Sequence, residues 1–134
     1  MRISRKGAVI AAIAVVLLIG AIVLAYGIKR LSNYKTLVQE IQFTSIDLPS
    51  VPDGIYTGDC NVDLIYAEVR VTIANGAIVS IELLRHDNGR GAPAEQIIDD
   101  MLVMQTTDVD AVSGATNSSM VIRKAVENAL LNRR

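Results

Sequence analysis

The sequence predicts an α+β protein: an N-terminal transmembrane helix followed by a small antiparallel sheet packed with two helices. Three observations carry this. A run without charge lies near the N-terminus, period-two alternation fills residues 55–83, and apolar residues three and four apart recur after Pro93. Strands first and helices after, joined by a hairpin signal, are the mark of α+β architecture. The chain has 134 residues, of which 51% are hydrophobic and 20% charged, with a mean hydropathy of +0.36. Outside the apolar run there is room for one compact domain, which excludes a large multi-domain enzyme.

The apolar run extends from Gly7 to Ile28 and is stopped by Lys29 and Arg30. At the rise of an α-helix it reaches ~33 Å, enough to cross a bilayer core. It is longer than the apolar core of a cleaved signal peptide, and Ala25-Tyr26-Gly27 is a mediocre cleavage site, so a retained anchor is expected. Residues 1–28 are therefore assigned to tail and anchor, 29–52 to a juxtamembrane helix and linker, and 53–134 to the folded domain. Arg2, Arg5 and Lys6 on one side are matched by Lys29, Arg30 and Lys35 on the other, so charge alone leaves orientation open. A short basic tail is easier to retain than a long acidic domain, which favours a single pass in the cell membrane with an extracytoplasmic C-terminal domain. Beyond residue 30 the chain holds eight basic against fourteen acidic residues. That balance, with no basic cluster, argues against a nucleic-acid partner.

Leu31, Tyr34, Val38 and Ile41 continue helical spacing to about Gln42, and Pro49, Pro52 and Gly54 then read as a linker. Ile55 to Val62 is a strand candidate. Ile65, Ala67, Val69, Val71 and Ile73 alternate with Tyr66, Glu68, Arg70 and Thr72, and Val79, Ile81 and Leu83 form the next strand. Asn75-Gly76 marks the hairpin. A two-residue turn would set Val71 opposite Ser80, so a three-residue loop, Ala74-Asn75-Gly76, pairing Val71 with Val79 and Val69 with Ile81, is expected. After a glycine-rich loop from His86 to Gly91, Pro93 opens a helix with Ile97, Ile98, Met101, Leu102 and Met104 inward, ending near Gln105. A last helix runs from about Ser118 to Asn132, with Val121, Ile122, Ala125, Val126, Ala129 and Leu130 inward and Arg123, Lys124, Glu127 and Asn128 outward.

Familiar catalytic constellations are missing. One histidine and one cysteine exclude a histidine-based zinc cluster, and a catalytic triad has no support. Cys60 has no disulfide partner and reads as a small buried side chain. Asp99 and Asp100 diverge on consecutive helix positions. Asp108 and Asp110, flanking a short strand candidate, supply fewer oxygens than a hard cation wants.

The unusual segment is Asp110-Ala-Val-Ser-Gly-Ala-Thr-Asn-Ser-Ser119. Ser113 to Ala115 form a tight turn of small residues, and Thr116, Asn117, Ser118 and Ser119 crowd hydroxyls and amides at a helix start. Two readings stand on these residues alone: an N-cap with spare polar groups, or a phosphate site on the backbone amides and the positive dipole end. Asp110-x-x-Ser113-Gly114-Ala115-Thr116 with Ser118-Ser119 behind it resembles the flavinylation motif of the FMN-binding domain family. That domain occurs in the flavin-carrying subunits of sodium-translocating NADH:quinone oxidoreductase and its ferredoxin-linked relatives, and in small anchored flavoproteins. Asp53-Gly54-x-Tyr56-x-Gly58, Val69-x-Val71-x-Ile73-x-x-Gly76-x-Ile78 and Ala125-Val126-Glu127-x-Ala129-Leu130 extend the resemblance over residues 53–131.

The resemblance implies an electron carrier, with FMN joined by a phosphoester to the Thr116 hydroxyl. A magnesium-dependent flavin transferase would use FAD as donor and read Asp110, Ser113, Gly114 and Ala115. The amides of Asn117, Ser118 and Ser119 would solvate the phosphoester. Membrane redox proteins and the lipid bilayer are the other partners implied. His86 and Arg90 are candidates for hydrogen bonds to the isoalloxazine carbonyls, with Ile97 and Met101 as apolar packing. The segment after His86, Asp-Asn-Gly-Arg-Gly, departs from the acidic, threonine-containing segment common in the family.

Overall fold

A computed structural model describes residues 4–89 and 91–133. The chain divides into two compact units, 1–35 and 36–134. The first is helical from Arg5. Helix α1 (Arg5–Gln39) takes up both the apolar run and the residues after it, with Val9 to Ile28 exposed along its length. Its most apolar stretch has a mean hydropathy of 3.1 and none of it is buried, so length and composition suffice for crossing a membrane. No helix break separates the run from Lys29 onward, because no proline or glycine pair interrupts the spacing there.

The second unit is a three-stranded antiparallel sheet, ordered β1 (Gly54–Asn61), β2 (Tyr66–Ala74) and β3 (Ala77–Asp87), as the alternation predicts. Two helices follow. α2 (Ile97–Met104) is led in by a 3-10 turn at Ala92–Gln96 that carries Pro93, and α3 (Thr116–Asn132) closes the fold. Ala67, Val69, Val71 and Ile73 of the central strand meet Val121, Ile122, Ala125, Val126, Ala129 and Leu130 of α3, all almost fully buried. Ile97 and Met101 of α2 complete this core. Burying each such aliphatic side chain stabilises the fold by about 1.5–3 kcal/mol. The opposite face of the sheet is polar, with Arg70 and Glu82 paired at 3.0 Å and Arg85 over the Tyr66 ring.

The hairpin differs from expectation. Its turn has two residues, with Asn75 at φ +53 and Gly76 at φ +72 and Ala74 facing Ala77. The phase conflict is resolved in the strand instead. Register shifts at Thr72/Ile73 and Glu68/Val69 leave Val71 opposite Ile81 and Val69 opposite Leu83. Val79, expected inward, is the bulged residue and is exposed.

Further differences bear on the site. β3 runs on to Asp87, so His86 is a strand residue paired with Ala67 and not part of the loop. α2 buries Ile97 and Met101 but leaves Met104 exposed. The helix ends there because Gln105 turns left-handed at φ +52, and its side chain bonds the backbone N–H and C=O of Ile78 at 2.8 and 2.9 Å. Residues 106–112 form no strand, although Val109 is buried. The linker segment is packed rather than bare: Val38, Leu48 and Val51 are buried against the domain. Glu127, expected in solvent, has a fully buried side chain. Its Oε2 accepts the N–H of Thr44 at 3.1 Å, while Arg123 and Lys124 approach within 3.5 and 3.4 Å. Lys124 also reaches the carbonyl of Gln42, and Phe43 stacks under the Arg123 guanidinium at 4.1 Å. The unit therefore takes in the chain from Thr36 because an ionic cluster on α3 holds it.

Candidate functional site

The turn before α3 is built by its own backbone. The N–H of Ala115 returns to the carbonyl of Val112 at 3.0 Å, with Gly114 at φ +81. Only glycine takes that conformation without strain, and a Cβ there would meet nothing within 4 Å. Ser119 locks the turn from behind. Its hydroxyl accepts the N–H of Val112 at 3.0 Å and donates to the carbonyl of Ala115 at 2.9 Å, and its own amide bonds that same carbonyl. Ser119 is thereby spent on the loop's shape, so its amide is not one of those that can face a phosphate.

Thr116 is the first residue of α3, two positions earlier than the sequence suggests, and its side chain is exposed. The amides of Thr116, Asn117 and Ser118 head the helix before its first i→i−4 bond, which Ser119 makes. Helix-heading amides favour an anion, at about 0.3–1 kcal/mol for an exposed charge. Asp110, Ser113, Gly114 and Asn117 all lie at the exposed surface around Thr116, whereas Ala115 and Ser118 are buried. The structure thus exposes Asp110, Ser113, Gly114, Thr116 and Asn117 of the motif, and buries Ala115, Ser118 and Ser119.

His86 lies at the end of β3, before the 3-10 turn that packs on α3. A 3-10 turn starts at Gly91, and a Cβ on Gly91 would lie 1.9 Å from the Ser118 hydroxyl. The start of the 3-10 turn and the first turn of α3 therefore pack through Gly91, where a side chain would collide with Ser118. The His86 side chain is 3% exposed. Its Nδ1 lies 3.0 Å from Oε1 of Glu95 and 3.2 Å from the Asn88 amide nitrogen, which also donates to the His86 carbonyl. Nε2 is buried without a hydrogen-bond partner. Neither Glu95 nor Asn88 was singled out in the sequence. Arg90 lies outside the described residues.

Beneath the turn, a small cavity of about 50 Å³ is lined by Phe43, Ile97, Val109, Ala111, Ser119 and Arg123, among others. Arg123 joins Asp108 at 2.9 Å, which takes that carboxylate out of any cation site. Among the described residues no three acidic, histidine or cysteine side chains are grouped to hold a metal. Met101, an expected packing residue for the ring, is buried under α3 and is core. Cys60 lines a separate, shallow groove with Lys124 and Asn128. Burial pushes its thiol up to about 11, opposed by the Lys124 charge.

Compared with known families, residues 66–131 match the FMN-binding domain. The match spans β2, β3, both domain helices and the Thr116 turn. No curated protein and no solved structure matches the chain.

Proposed function

The chain carries an FMN-binding domain over residues 66–131, and from that premise we propose a membrane-anchored, extracytoplasmic electron carrier with FMN attached by a phosphoester to Thr116. The observation that carries this reading is the exposed Thr116 at the head of α3, after a turn held by Ser119. A residue modified by another enzyme must be reached by it, and Thr116 is exposed while its neighbours Ala115 and Ser118 are buried. The donor would be FAD and the enzyme a magnesium-dependent flavin transferase. Thr116 Oγ1 would displace AMP and keep the flavin phosphate as a diester.

The residues present fit that group. The amides of Thr116, Asn117 and Ser118 would hold the phosphate, and Gly114, with open space on its Cβ side, would admit the transferase backbone. The β-branched threonine restricts its oxygen to few rotamers. Bound FMN would supply one- or two-electron chemistry. The chain's part is to fix the phosphate at the head of α3. Electrons would pass from a membrane redox donor to an outer acceptor. The apolar stretch of α1 would hold the domain at the bilayer.

The test is flavin fluorescence in a denaturing gel, with intact mass, on protein made beside a flavin transferase. The expected result is a fluorescent band with one FMN phosphoester increment, lost in Thr116→Val while the domain stays folded. Flavin that washes off on denaturation would make this a non-covalent FMN-binding module. No flavin at all, with the transferase active on a control, would leave an assembly subunit whose motif is only a helix cap.

A further inference from the structure

We propose that Arg123 is a positioning residue through which the strap at residues 42–44 sets the conformation of the segment leading to Thr116. Attachment at Thr116 then depends on a piece of chain outside residues 66–131, the part that matches the FMN-binding domain. This rests on the flavin reading above and deepens it, since it names what holds the acceptor segment ready.

Residues 106–112 are coil. Their local bonds are short-range ones, from the N–H of Asp108 to the Thr106 hydroxyl at 3.0 Å and from the N–H of Val109 to the Thr107 carbonyl at 3.1 Å. Side chains one turn apart on α3 fasten the segment to the domain. Ser119 accepts the N–H of Val112 at 3.0 Å. Arg123 holds the other end: Nη2 lies 2.9 Å from Asp108 Oδ1, and Nη1 donates to the Val109 carbonyl at 3.4 Å. Asp110, where the motif begins, lies between these two fastenings.

The strap orients Arg123. Its guanidinium carbon lies 4.1 Å from the centre of the Phe43 ring, and the side chain is only 16% exposed. Nε faces Glu127 Oε1 at 3.5 Å, and neither atom has a hydrogen-bond partner. A charge pair at that distance attracts without fixing a plane. The plane is therefore set by the ring face beneath it and by the carboxylate at its end. Phe43 is held in turn through its neighbours. Lys124 Nζ donates to the Gln42 carbonyl at 2.6 Å, and the N–H of Thr44 bonds the fully buried Glu127 at 3.1 Å. Phe43, Val109, Ala111, Ser119 and Arg123 line the same cavity of about 50 Å³. Strap and acceptor segment thus share one space, and that space gives the guanidinium room to shift once the ring face is gone.

Phe43→Leu keeps an apolar side chain and removes the ring face, whereas Phe43→Tyr keeps the face. Amide exchange at Val109 and Val112 is followed by NMR on the full chain in detergent micelles, without flavin. Protection of the Cys60 thiol from alkylation verifies that each variant is folded. Phe43→Leu and Arg123→Lys should each speed exchange at these amides about fivefold, and Phe43→Tyr should match wild type. In the Arg123→Lys background, Phe43→Leu should add less than about twofold, since the ring acts through Arg123. With FAD, magnesium and a flavin transferase, Phe43→Leu and Arg123→Lys should take up flavin about fivefold more slowly, and Phe43→Tyr at the wild-type rate. Unchanged exchange in Phe43→Leu, additive effects of the two substitutions, or wild-type flavin uptake by a variant whose segment has loosened would each overturn the proposal. A wild-type chain that takes no flavin sinks the attachment at Thr116 separately, and exchange in the unloaded chain then still decides whether Arg123 links strap and segment.

Discussion

Alanine at Gly58 probes how closely α3 is seated on the sheet. Gly58 lies in β1, and a Cβ there would fall 2.2 Å from the Ala129 nitrogen, 2.4 Å from the Ala125 carbonyl and 2.6 Å from the Ala129 Cα. These are backbone atoms of a helix and cannot turn aside. Bringing the shortest contact to 3.0 Å, a limit that Cβ contacts essentially never undercut, moves α3 outward by about 0.8 Å. A gap of that size forfeits a quarter to a half of each dispersion contact it opens. The helix face involved includes Val121, Ala125, Val126 and Ala129, all at 0% exposure. Overpacking with that loss should cost roughly 3 kcal/mol, or a fall in Tm of about 10–20 °C for a domain of this size. Gly54→Ala is the matched control, because its Cβ meets only the Tyr56 ring, the hydroxyl at 3.1 Å. The assay is a denaturant titration of the full chain in detergent, scored by pulsed alkylation of Cys60, the single thiol. A Gly58→Ala midpoint indistinguishable from wild type at unchanged slope would refute the seating of α3.

Three more predictions follow from the same structure. Glu127→Ala should lose about 3 kcal/mol, since it removes the acceptor of Thr44 and leaves Arg123 and Lys124 without their buried partner, whereas Glu82→Ala, breaking an exposed pair with Arg70, should change stability by less than about 1 kcal/mol; equal effects in chemical unfolding would show that the cluster is not buried. The Cys60 thiol is raised by burial to about 11, so alkylation of the native protein should keep accelerating as pH rises past 9 toward 11. The sign for stability is that the neutral thiol is favoured in the fold, a contribution present below pH 9 and lost as pH rises through 11; an alkylation rate that levels off at pH 9 contradicts it. Gly91→Ala should lower flavin attachment while Thr116 is intact, because the new methyl displaces Ser118; an undiminished fluorescent band would show that this contact is dispensable.

Much of the fold was legible because local pattern and final environment agree. The alternation in 65–73 survives as β2 because its inner face is uniformly apolar, and the apolar helix is plain because no charge interrupts it. Asn75-Gly76 was legible as a turn but not as a two-residue one. The bulge at Val79 that reconciles the phase is chosen by what α2 and Gln105 require of Ile78, and no local signal carries that. Glu127 was misplaced for a similar reason. A glutamate on a helix is ordinarily solvated, and only the folding back of Gln42–Thr44 over α3 buries it. His86 was assigned to a loop because Asp-Asn-Gly follows it, yet cross-strand pairing of His86 with Ala67 and of Asp87 with Tyr66 carries β3 on to Asp87.

By itself the sequence determined the apolar span, the order of strands and helices, and the Thr116 motif, since each rests on residues adjacent in the chain and on short-range periodicity. The tertiary structure alone decided that Thr116 is exposed while Ser119 is consumed by the turn, that Gly91 lets the 3-10 turn pack on the head of α3, and that Glu95 reaches Nδ1 of His86. Those facts depend on contacts between segments far apart or oppositely directed, where distance in space is set by packing the sheet against α3 and leaves no period in the sequence.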